Sequence, residues 1–496
     1  MVEVQKVEVQ ERRAGRKEWT GLAVLILPLL LVSMDVSVLY FTVPFISREL
    51  VPTATEQLWI FDIYGFVLAG LLITMGSLGD RVGRRRLLLL GAFGFGAASA
   101  LAAYSTSAGM LIGARAILGL GGATLMPSTL ALIRNMFHDA KQRSTAIAVW
   151  TAVMTGGIAL GPVFSGLLVE HFWWGSVFLI NIPAMVLLLL LAPALVPEYR
   201  NAGAGRFDLV SSLLSVAAVL PVIWGIKEIA AHGFEAGRLA AIGAGLALGL
   251  LFVRRQRRPD PMVDLRLLRT RAFSGSVAVT LLSTFALVGF AIFTSQYLQL
   301  VLGMSPLEGA LWSLLPSLGI GAAAPVAAQL AQRGIDRGLL IAAGFGLAAV
   351  GFVVLTFVRV DSALWVLMVG AGGYAAGLVV VMSLANELVM GAVPAERAGA
   401  SSALVETSSE LGGALGIALL GSLGTAVYRH AIGGGLPDAA RETLSGALTV
   451  ASRQADGSIV TAARLAFVDS LDVVAGAGLV VMLLGAGLAV LVLRRR

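Results

Sequence analysis

The chain has 496 residues, of which 57% are hydrophobic and only 13% are charged, about half the charged fraction of a typical soluble domain. Its net charge of +7 does not indicate a nucleic-acid partner, because the basic residues are spread over short linkers where they suit the anionic headgroups of membrane lipids. The absence of cysteine excludes disulfides and thiol chemistry, and the composition as a whole excludes a soluble globular domain.

Fourteen apolar runs are long enough to cross a bilayer, which takes roughly 20 residues as helix. They cover residues 19–43, 56–78, 86–107, 109–133, 144–168, 175–195, 208–228, 236–253, 272–298, 306–331, 338–357, 362–390, 398–425 and 472–493. Most of the 36 Lys and Arg residues fall in alternate linkers, which places both termini in the cytoplasm. We therefore predict an all-α integral membrane protein with 14 transmembrane helices.

The linkers divide this series of helices into parts. Densely basic stretches before residue 208 and at 254–271 bracket the seventh and eighth spans, which predicts a two-helix insert between two six-helix bundles. Paired halves with a site between them are the usual plan of secondary transporters. The expected parts are a cytoplasmic tail at 1–18, a first bundle at 19–199, the insert at 200–256 and a second bundle at 257–496 with an external hairpin at about 426–471. An ordinary surface loop is the alternative for the hairpin.

Three charged residues lie inside the predicted spans of the first bundle: Asp35, Asp62 and Arg115. A charge at the centre of a spanning helix costs roughly 2.5–3.5 kcal/mol, so such residues face the bundle interior or a watery path. With a helix rise of 1.5 Å per residue, all three are expected at one level in the outer half of the bundle. Asp35 is interpreted either as a proton-coupling residue or as a structural partner of Arg115. Asp62 suits a cation site or a structural hydrogen bond.

Two further acids, Glu406 and Glu410, lie four residues apart on one face of the thirteenth span, near the membrane midplane. Glu406 is predicted to contact substrate or protons, and whether Glu410 is charged stays open. The mid-helix aromatic residues Tyr64, Trp150 and Phe290 could form cation–π walls or simply pack. The four histidines show no metal-ligand spacing, so no metal site is expected.

Four motifs carry a family resemblance. The loop Gly76–Arg86 combines glycines, which allow a tight turn, with Asp80 and arginines able to form an ion-pair latch. This loop resembles the signature of the major facilitator superfamily, and residues 111–121 around Arg115 are similar to its fourth-helix motif. Residues 157–166 resemble the fifth-helix motif of antiporters, although Ser165 stands where glycine is usual. Residues 31–44 around Asp35 resemble the first-helix motif of the 14-helix drug–proton antiporter branch.

The resemblance implies a monomeric exporter in the bacterial inner (cytoplasmic) membrane that needs no cofactor and uses the proton motive force. Its expected substrates are lipophilic cations, namely quaternary ammonium compounds, cationic dyes and fluoroquinolones, with dications in doubt because the span at 306–331 lacks a mid-membrane acid. Proton coupling is assigned to Asp35, Arg115 and Glu406, and substrate contact to Asp62, Tyr64, Glu406, Glu410, Trp150 and Phe290. Gating is assigned to Gly79, Asp80, Arg81, Gly83, Arg84, Gly157, Gly161 and Pro162. The alternatives are a lipid or glycolipid exporter of the same fold and a non-transporting membrane sensor, and an enzyme fits least well.

Overall fold

The computed structural model describes residues 13–35, 37–200, 208–258, 266–392, 398–434 and 436–493, and these ranges contain helices but no strand. Most of the predicted tail, residues 1–12, lies outside them, as do parts of the two basic linkers at 201–207 and 259–265. The helices are α1 (Arg16–Asp35), α2 (Leu39–Leu50), α3 (Ala54–Val82), α4 (Arg84–Ala103), α5 (Ala108–Met136), α6 (Ala140–His171), α7 (Ser176–Leu179), α8 (Asn181–Leu195), α9 (Leu209–His232), α10 (Ala236–Arg255), α11 (Arg271–Gln296), α12 (Pro306–Trp312), α13 (Leu314–Gln332), α14 (Arg337–Leu355), α15 (Leu364–Ala392), α16 (Ala398–Ala431), α17 (Asp438–Glu442), α18 (Leu444–Gln454) and α19 (Gly457–Leu488).

Thirteen helical segments in the described ranges are long and apolar enough to cross a membrane. They account for thirteen of the predicted spans. The predicted tenth span coincides with α12 and α13, and the side chains of residues 317–322 within it lie outside the described part of the chain. The prediction of an all-helical membrane protein is therefore confirmed, while the total of fourteen spans stays a prediction.

The predicted first span is not one continuous helix. Its first helix, α1, ends at Asp35, and α2 begins at Leu39. The amide of Ser37 donates to the carbonyl of Met34 at 2.9 Å, and the Ser37 hydroxyl donates to the carbonyl of Ile158 on α6 at 2.8 Å. This polar turn sits in the bundle interior, where a neighbouring helix supplies hydrogen bonds that a broken helix in lipid would lack.

The last spanning helix also starts earlier than predicted, at Gly457 rather than at residue 472. The expected external hairpin at about 426–471 thus overlaps the first part of α19, and within that range only α17 and α18 are separate from the spanning helices. Ala463 and Ala466 are buried, which gives this part of α19 a face that packs on α16 and α18. The turn before α19 uses Ala455 in the left-handed region, with φ of 51°.

The helices pack as two groups, with α9 and α10 beside them. In the first group α1 packs on α6 and α8, while α5 packs on α3 and α4; in the second, α11 packs on α16 and α14 on α15. Helix α9 contacts α3 of the first group and α16 of the second. Its partner α10 buries only Gly245, so almost all of α10 is left for lipid.

The two groups are joined at the end that holds the start of α3 and the end of α16. Leu58 of α3 packs against Gly421 of α16. Glu442 of α17 accepts a hydrogen bond from the Ala54 amide at 3.0 Å. Gln299 donates to the carbonyl of Tyr40 at 3.3 Å. These contacts close this end of the molecule across the boundary between the groups.

Candidate functional site

The turn between α1 and α2 presents Asp35 to Arg115 of α5. The Arg115 Nη1 atom lies 2.7 Å from the Asp35 Oδ2 atom, and both side chains are 1% exposed. Arg115 also donates to the carbonyl of Phe61 on α3 at 3.3 Å, and its guanidinium carbon lies 5.1 Å from the centre of the Tyr64 ring. One Asp35 oxygen and the Arg115 Nε atom are buried with no hydrogen-bond partner in the described part of the chain.

Two glycines of α6 allow this turn to come close. A Cβ atom at Gly157 would lie 1.9 Å from the Ser33 hydroxyl, and one at Gly161 would lie 2.2 Å from the Ser37 hydroxyl. Such distances are far below van der Waals contact, so only glycine fits at either position. Ser165, which departs from the expected motif, forms a 2.8 Å hydrogen bond with Thr42 of α2. These residues therefore hold the broken first span against α6.

Asp62 of α3 is paired with Lys227 of α9, a contact that our sequence reading missed. The Lys227 Nζ atom lies 2.8 Å from the Asp62 Oδ1 atom, both side chains are fully buried, and the Nζ atom sits 4.0 Å from the centre of the Trp59 ring. The sequence does carry a signal for this pair. A single lysine within an apolar span is energetically costly unless an acid at similar depth in the membrane neutralises it.

An apolar cluster surrounds the Trp59 side of this pair. Phe66 of α3, Ile223 of α9, and Ala414 and Ala418 of α16 are buried together, and Trp59 packs against them. The cluster brings one helix from each group into contact with the helix that carries Lys227. We call the meeting of α3, α9 and α16 the three-helix junction.

Glu406 and Glu410 reach the interior from α16, and both keep partial exposure. The carboxyl group of Glu410 interacts electrostatically with Tyr40 of α2 and Tyr64 of α3, and with Glu406 on its own helix. Tyr64 thus lies within electrostatic reach of both Glu410 and the Asp35–Arg115 pair.

Two predicted substrate residues lie elsewhere. Phe290 is fully buried among Phe293, Phe352 and Tyr374, with ring centres 5.3–5.9 Å away, and so belongs to the core of the second group. Trp150 of α6 donates to the Thr129 hydroxyl at 3.2 Å. Thr129 is fourteen residues along α5 from Arg115, roughly 21 Å at the helix rise. Neither aromatic ring is brought to Asp62.

The sequence matches the Major Facilitator Superfamily over residues 25–417. The chain belongs to the major facilitator superfamily. Among curated relatives of this superfamily member, the multidrug efflux pump LfrA of Mycolicibacterium smegmatis is 45% identical over 91% of this chain and 90% of its own length. The methyl viologen resistance protein SmvA of Salmonella typhimurium is 35% identical over 82% of each chain. This membership confirms the family resemblance. It also confirms the prediction that the protein is a transporter and not an enzyme.

Solved structures show the same fold. A bacterial homologue of the human lysosomal transporter Spinster, crystallised inward-facing and unoccupied, superposes with a TM-score of 0.70 at 17% identity and covers 97% of this chain. A peptide transporter in complex with sulfate gives a TM-score of 0.62 over 96% of this chain. The chain is therefore a multi-pass membrane transporter with the superfamily fold.

The superfamily loop between α3 and α4 is held within the first group. Gly83 takes a φ of 117°, a region that favours glycine, and turns the chain from α3 into α4. Asp80 pairs with Arg84 at 2.6 Å, and Gly79 leaves space for that arginine. Glu198, after α8, accepts hydrogen bonds from the amides of the arginines that begin α4, at 3.0 and 3.2 Å.

The remaining motif residues and one rim acid lie in the following environments. The Nε atom of Arg81 is buried and has no hydrogen-bond partner among the residues described. Pro162 lies within α6 beside Gly161 and is half-buried. Glu387 pairs with Arg337 at 3.2 Å, and both are about 40% exposed, as a solvated rim pair would be. Within the described ranges no group of three or more His, Asp or Glu residues could hold a metal ion.

Proposed function

We propose that this superfamily member exports lipophilic cations from bacteria in exchange for protons, as a 14-helix monomer of the inner membrane with both termini in the cytoplasm. The observation that carries the proposal is the buried Asp35–Arg115 pair, placed at a helix break beside a second buried acid. The relatives, a multidrug efflux pump and a methyl viologen resistance protein, support drug export as the task. The proton motive force would drive it without a cofactor.

The proposed coupling acts through Arg115. A proton on Asp35 removes the charge that holds the guanidinium, and Arg115 also bonds the Phe61 carbonyl next to Asp62. Protonation at Asp35 would thereby loosen a contact between α5 and α3 and change the surroundings of Asp62. Each net charge that moves inward releases about 2.3 kcal/mol per 100 mV of membrane potential, enough for roughly a forty-fold concentration ratio.

The proposed substrate path lies between the groups, open towards the cytoplasm when the end at Leu58 and Gly421 is closed. Asp62, Tyr64, Glu406 and Glu410 would contact the cation. Helix α3, which carries the first two, packs on α16, which carries the other two, and Glu410 interacts electrostatically with Tyr64. In this proposal Phe290 and Trp150 pack rather than bind. Protons would enter from the outside as the drug leaves, with Glu406 as a second acidic carrier.

Asp35→Asn tests the coupling. We expect this variant to reach the membrane at the wild-type level and to lose proton-driven ethidium efflux, with an initial rate at least about tenfold lower, since the amide cannot carry the proton. Efflux would be measured in energised vesicles with and without a protonophore. Glu387→Gln, which removes an exposed rim acid, is the control and should pump normally. Sustained proton-driven efflux by Asp35→Asn would refute the proton-coupling role of Asp35.

A wild-type protein that moves no cation under a gradient would overturn the exporter proposal itself. The fold would then be left with the lipid or glycolipid exporter and the membrane sensor as alternative functions. A sensor would bind cations with no dependence on Asp35.

A further inference from the structure

Lys227 occupies a place built for a cation. Trp59 and Asp62 are three residues apart in α3, so the indole ring and the carboxylate stand on neighbouring positions of one helix face. The Lys227 ammonium contacts both, at 2.8 Å from the carboxylate oxygen and 4.0 Å from the ring centre. A carboxylate beside an aromatic face is the chemistry that recognises organic ammonium ions.

The pair is incomplete as a structural element. The second oxygen of Asp62 is buried and has no hydrogen-bond partner among the described residues. Buried ion pairs add little net stability unless their remaining hydrogen-bonding groups are satisfied, because both ions lose their hydration. The Trp59 side of the site is apolar, with Phe66, Ile223 and Ala414 of the three-helix junction buried together there. An apolar wall with one carboxylate suits a lipophilic cation better than it suits a hydrated ammonium.

The lysine comes from outside both groups. Helix α9 contacts α3 near its other end as well, where the Ser215 hydroxyl donates to the Gly70 carbonyl at 3.0 Å. Its partner α10 is almost wholly exposed to lipid. Lys227 is a flexible four-carbon stem with a terminal charge, so its head can leave the site while this second contact keeps α9 in place.

We propose that Lys227 is a tethered cation that fills the Asp62–Trp59 site between transport cycles, and that a monovalent lipophilic cation binds there by displacing it. This inference rests on the proposed function and names its substrate class and competitor. Each cation must replace an existing ion pair, which lowers its affinity. Neutral compounds cannot compensate Asp62 and therefore cannot displace the lysine. Return of the Lys227 head to the site would favour release of the cation.

Lys227→Met is the decisive variant, because methionine keeps much of the aliphatic bulk and removes the competing charge. We expect the dissociation constant for tetraphenylphosphonium, measured on the purified full-length protein in lipid nanodiscs, to fall at least about tenfold, which corresponds to 1.4 kcal/mol. Lys227→Arg keeps the charge and should bind as the wild type does. In the background of Asp62→Asn, Lys227→Met should no longer improve affinity, since the gain acts through that carboxylate.

Arg255→Met is the matched control. Arg255, at the end of α10, also forms an ion pair, with Asp208 just before α9, at 2.6 Å. This pair lies at the opposite end of the two insert helices from Lys227. Its removal should leave cation affinity unchanged. If Lys227→Met does not fold, Lys227→Gln supplies the same comparison with a hydrogen-bond donor retained.

Equal or weaker binding by folded Lys227→Met or Lys227→Gln would overturn the inference and leave the pair structural. This outcome is separate from the transport test. If the wild type pumps but Lys227→Met binds tetraphenylphosphonium no more tightly, only the proposed competition by Lys227 is refuted. Tighter binding by Lys227→Met in a protein that never pumps would support the competition and refute the exporter proposal.

Discussion

At the residue scale, the two buried acids of the first group are each paired with a cation, Asp35 with Arg115 of the same group and Asp62 with Lys227 of α9. The two cations are not equivalent. The planar guanidinium of Arg115 contacts a carboxylate, a backbone carbonyl and an aromatic ring at once. The ammonium of Lys227 is a compact charge at the end of a flexible stem, in contact with one carboxylate and one ring. A cation with several contacts suits a coupling element, and one on a flexible stem suits the proposed competitor.

The Arg115→Lys variant tests whether the shape of the guanidinium group matters or only its positive charge. We expect the variant to insert normally but to lose at least about tenfold in the initial rate of proton-driven ethidium efflux, because one ammonium cannot hold both Asp35 and the Phe61 carbonyl. The exchange Arg337→Lys at the exposed rim should have no effect. If Arg115→Lys pumped at the wild-type rate, the guanidinium would matter only as a positive charge.

Part of the site could be predicted from residue depth alone. Asp35 and Arg115 could be placed at one level because a helix advances a fixed distance per residue, and the structure brings them together. Lys227 could not be placed in this way, since its partner depends on where the insert packs. The packing of Phe290 against Phe352 could not be predicted either, because sequence shows that an aromatic side chain lies at mid-depth in the membrane but not which face of the helix it occupies.

At the element scale, the break between α1 and α2 is the feature that hydropathy could not reveal. Both sides of it are apolar and helical, and the turn depends on a hydroxyl of Ser37 that reaches α6. The early start of α19 was missed for a related reason. An amphipathic segment has the same hydrophobic pattern whether or not it continues into a spanning helix. Long apolar helices, by contrast, were predictable, because spanning a bilayer fixes both their length and their composition.

Gly161→Ala tests the contact at this break. Its new Cβ atom would lie 2.2 Å from the Ser37 hydroxyl and 2.9 Å from the Met34 carbonyl oxygen, so α6 must move away from the turn. We expect a loss of stability of about 1–3 kcal/mol and strongly reduced efflux. Thermal unfolding in detergent and vesicle transport would measure the two effects.

Gly156→Ala is the matched control, because it lies in the same helix with nothing within 4 Å of the added atom. Its stability and transport should equal those of the wild type. Equal behaviour of the two alanine variants would show that the close approach at Gly161 is dispensable.

At the scale of the whole molecule, the two groups are tied together by the short helices α17 and α18. Glu442 accepts from the Ala54 amide of the first group and pairs with Arg429 of the second. The Ser445 hydroxyl also donates to the Pro44 carbonyl at 3.4 Å. In the proposed orientation these two helices, which we call the α17–α18 hairpin, lie outside the cell over the closed end of the path, and their contacts would stabilise that closed end.

Glu442→Gln should weaken that closure. The chain has no native cysteine, so Leu58→Cys alone reports access to the closed end. We expect a membrane-impermeant maleimide to label this cysteine several-fold faster in the Glu442→Gln background, because the amide forms a weaker contact with Arg429 and Ala54. Asp438→Asn in the same hairpin, where the acid is 98% exposed, should not change the labelling rate. Unchanged labelling in both would mean that the hairpin does not hold the closed state.

The position of the hairpin also has a pharmacological consequence. A drug-efflux protein is usually inhibited by compounds that must cross the membrane and then compete with its own substrates. A nanobody or cyclic peptide that clamps Glu442 onto Ala54 would instead arrest the cycle from the outer surface, without entering the path or being exported itself. Resistance by altered substrate recognition would not relieve such a block, because the epitope and the binding site share no residue.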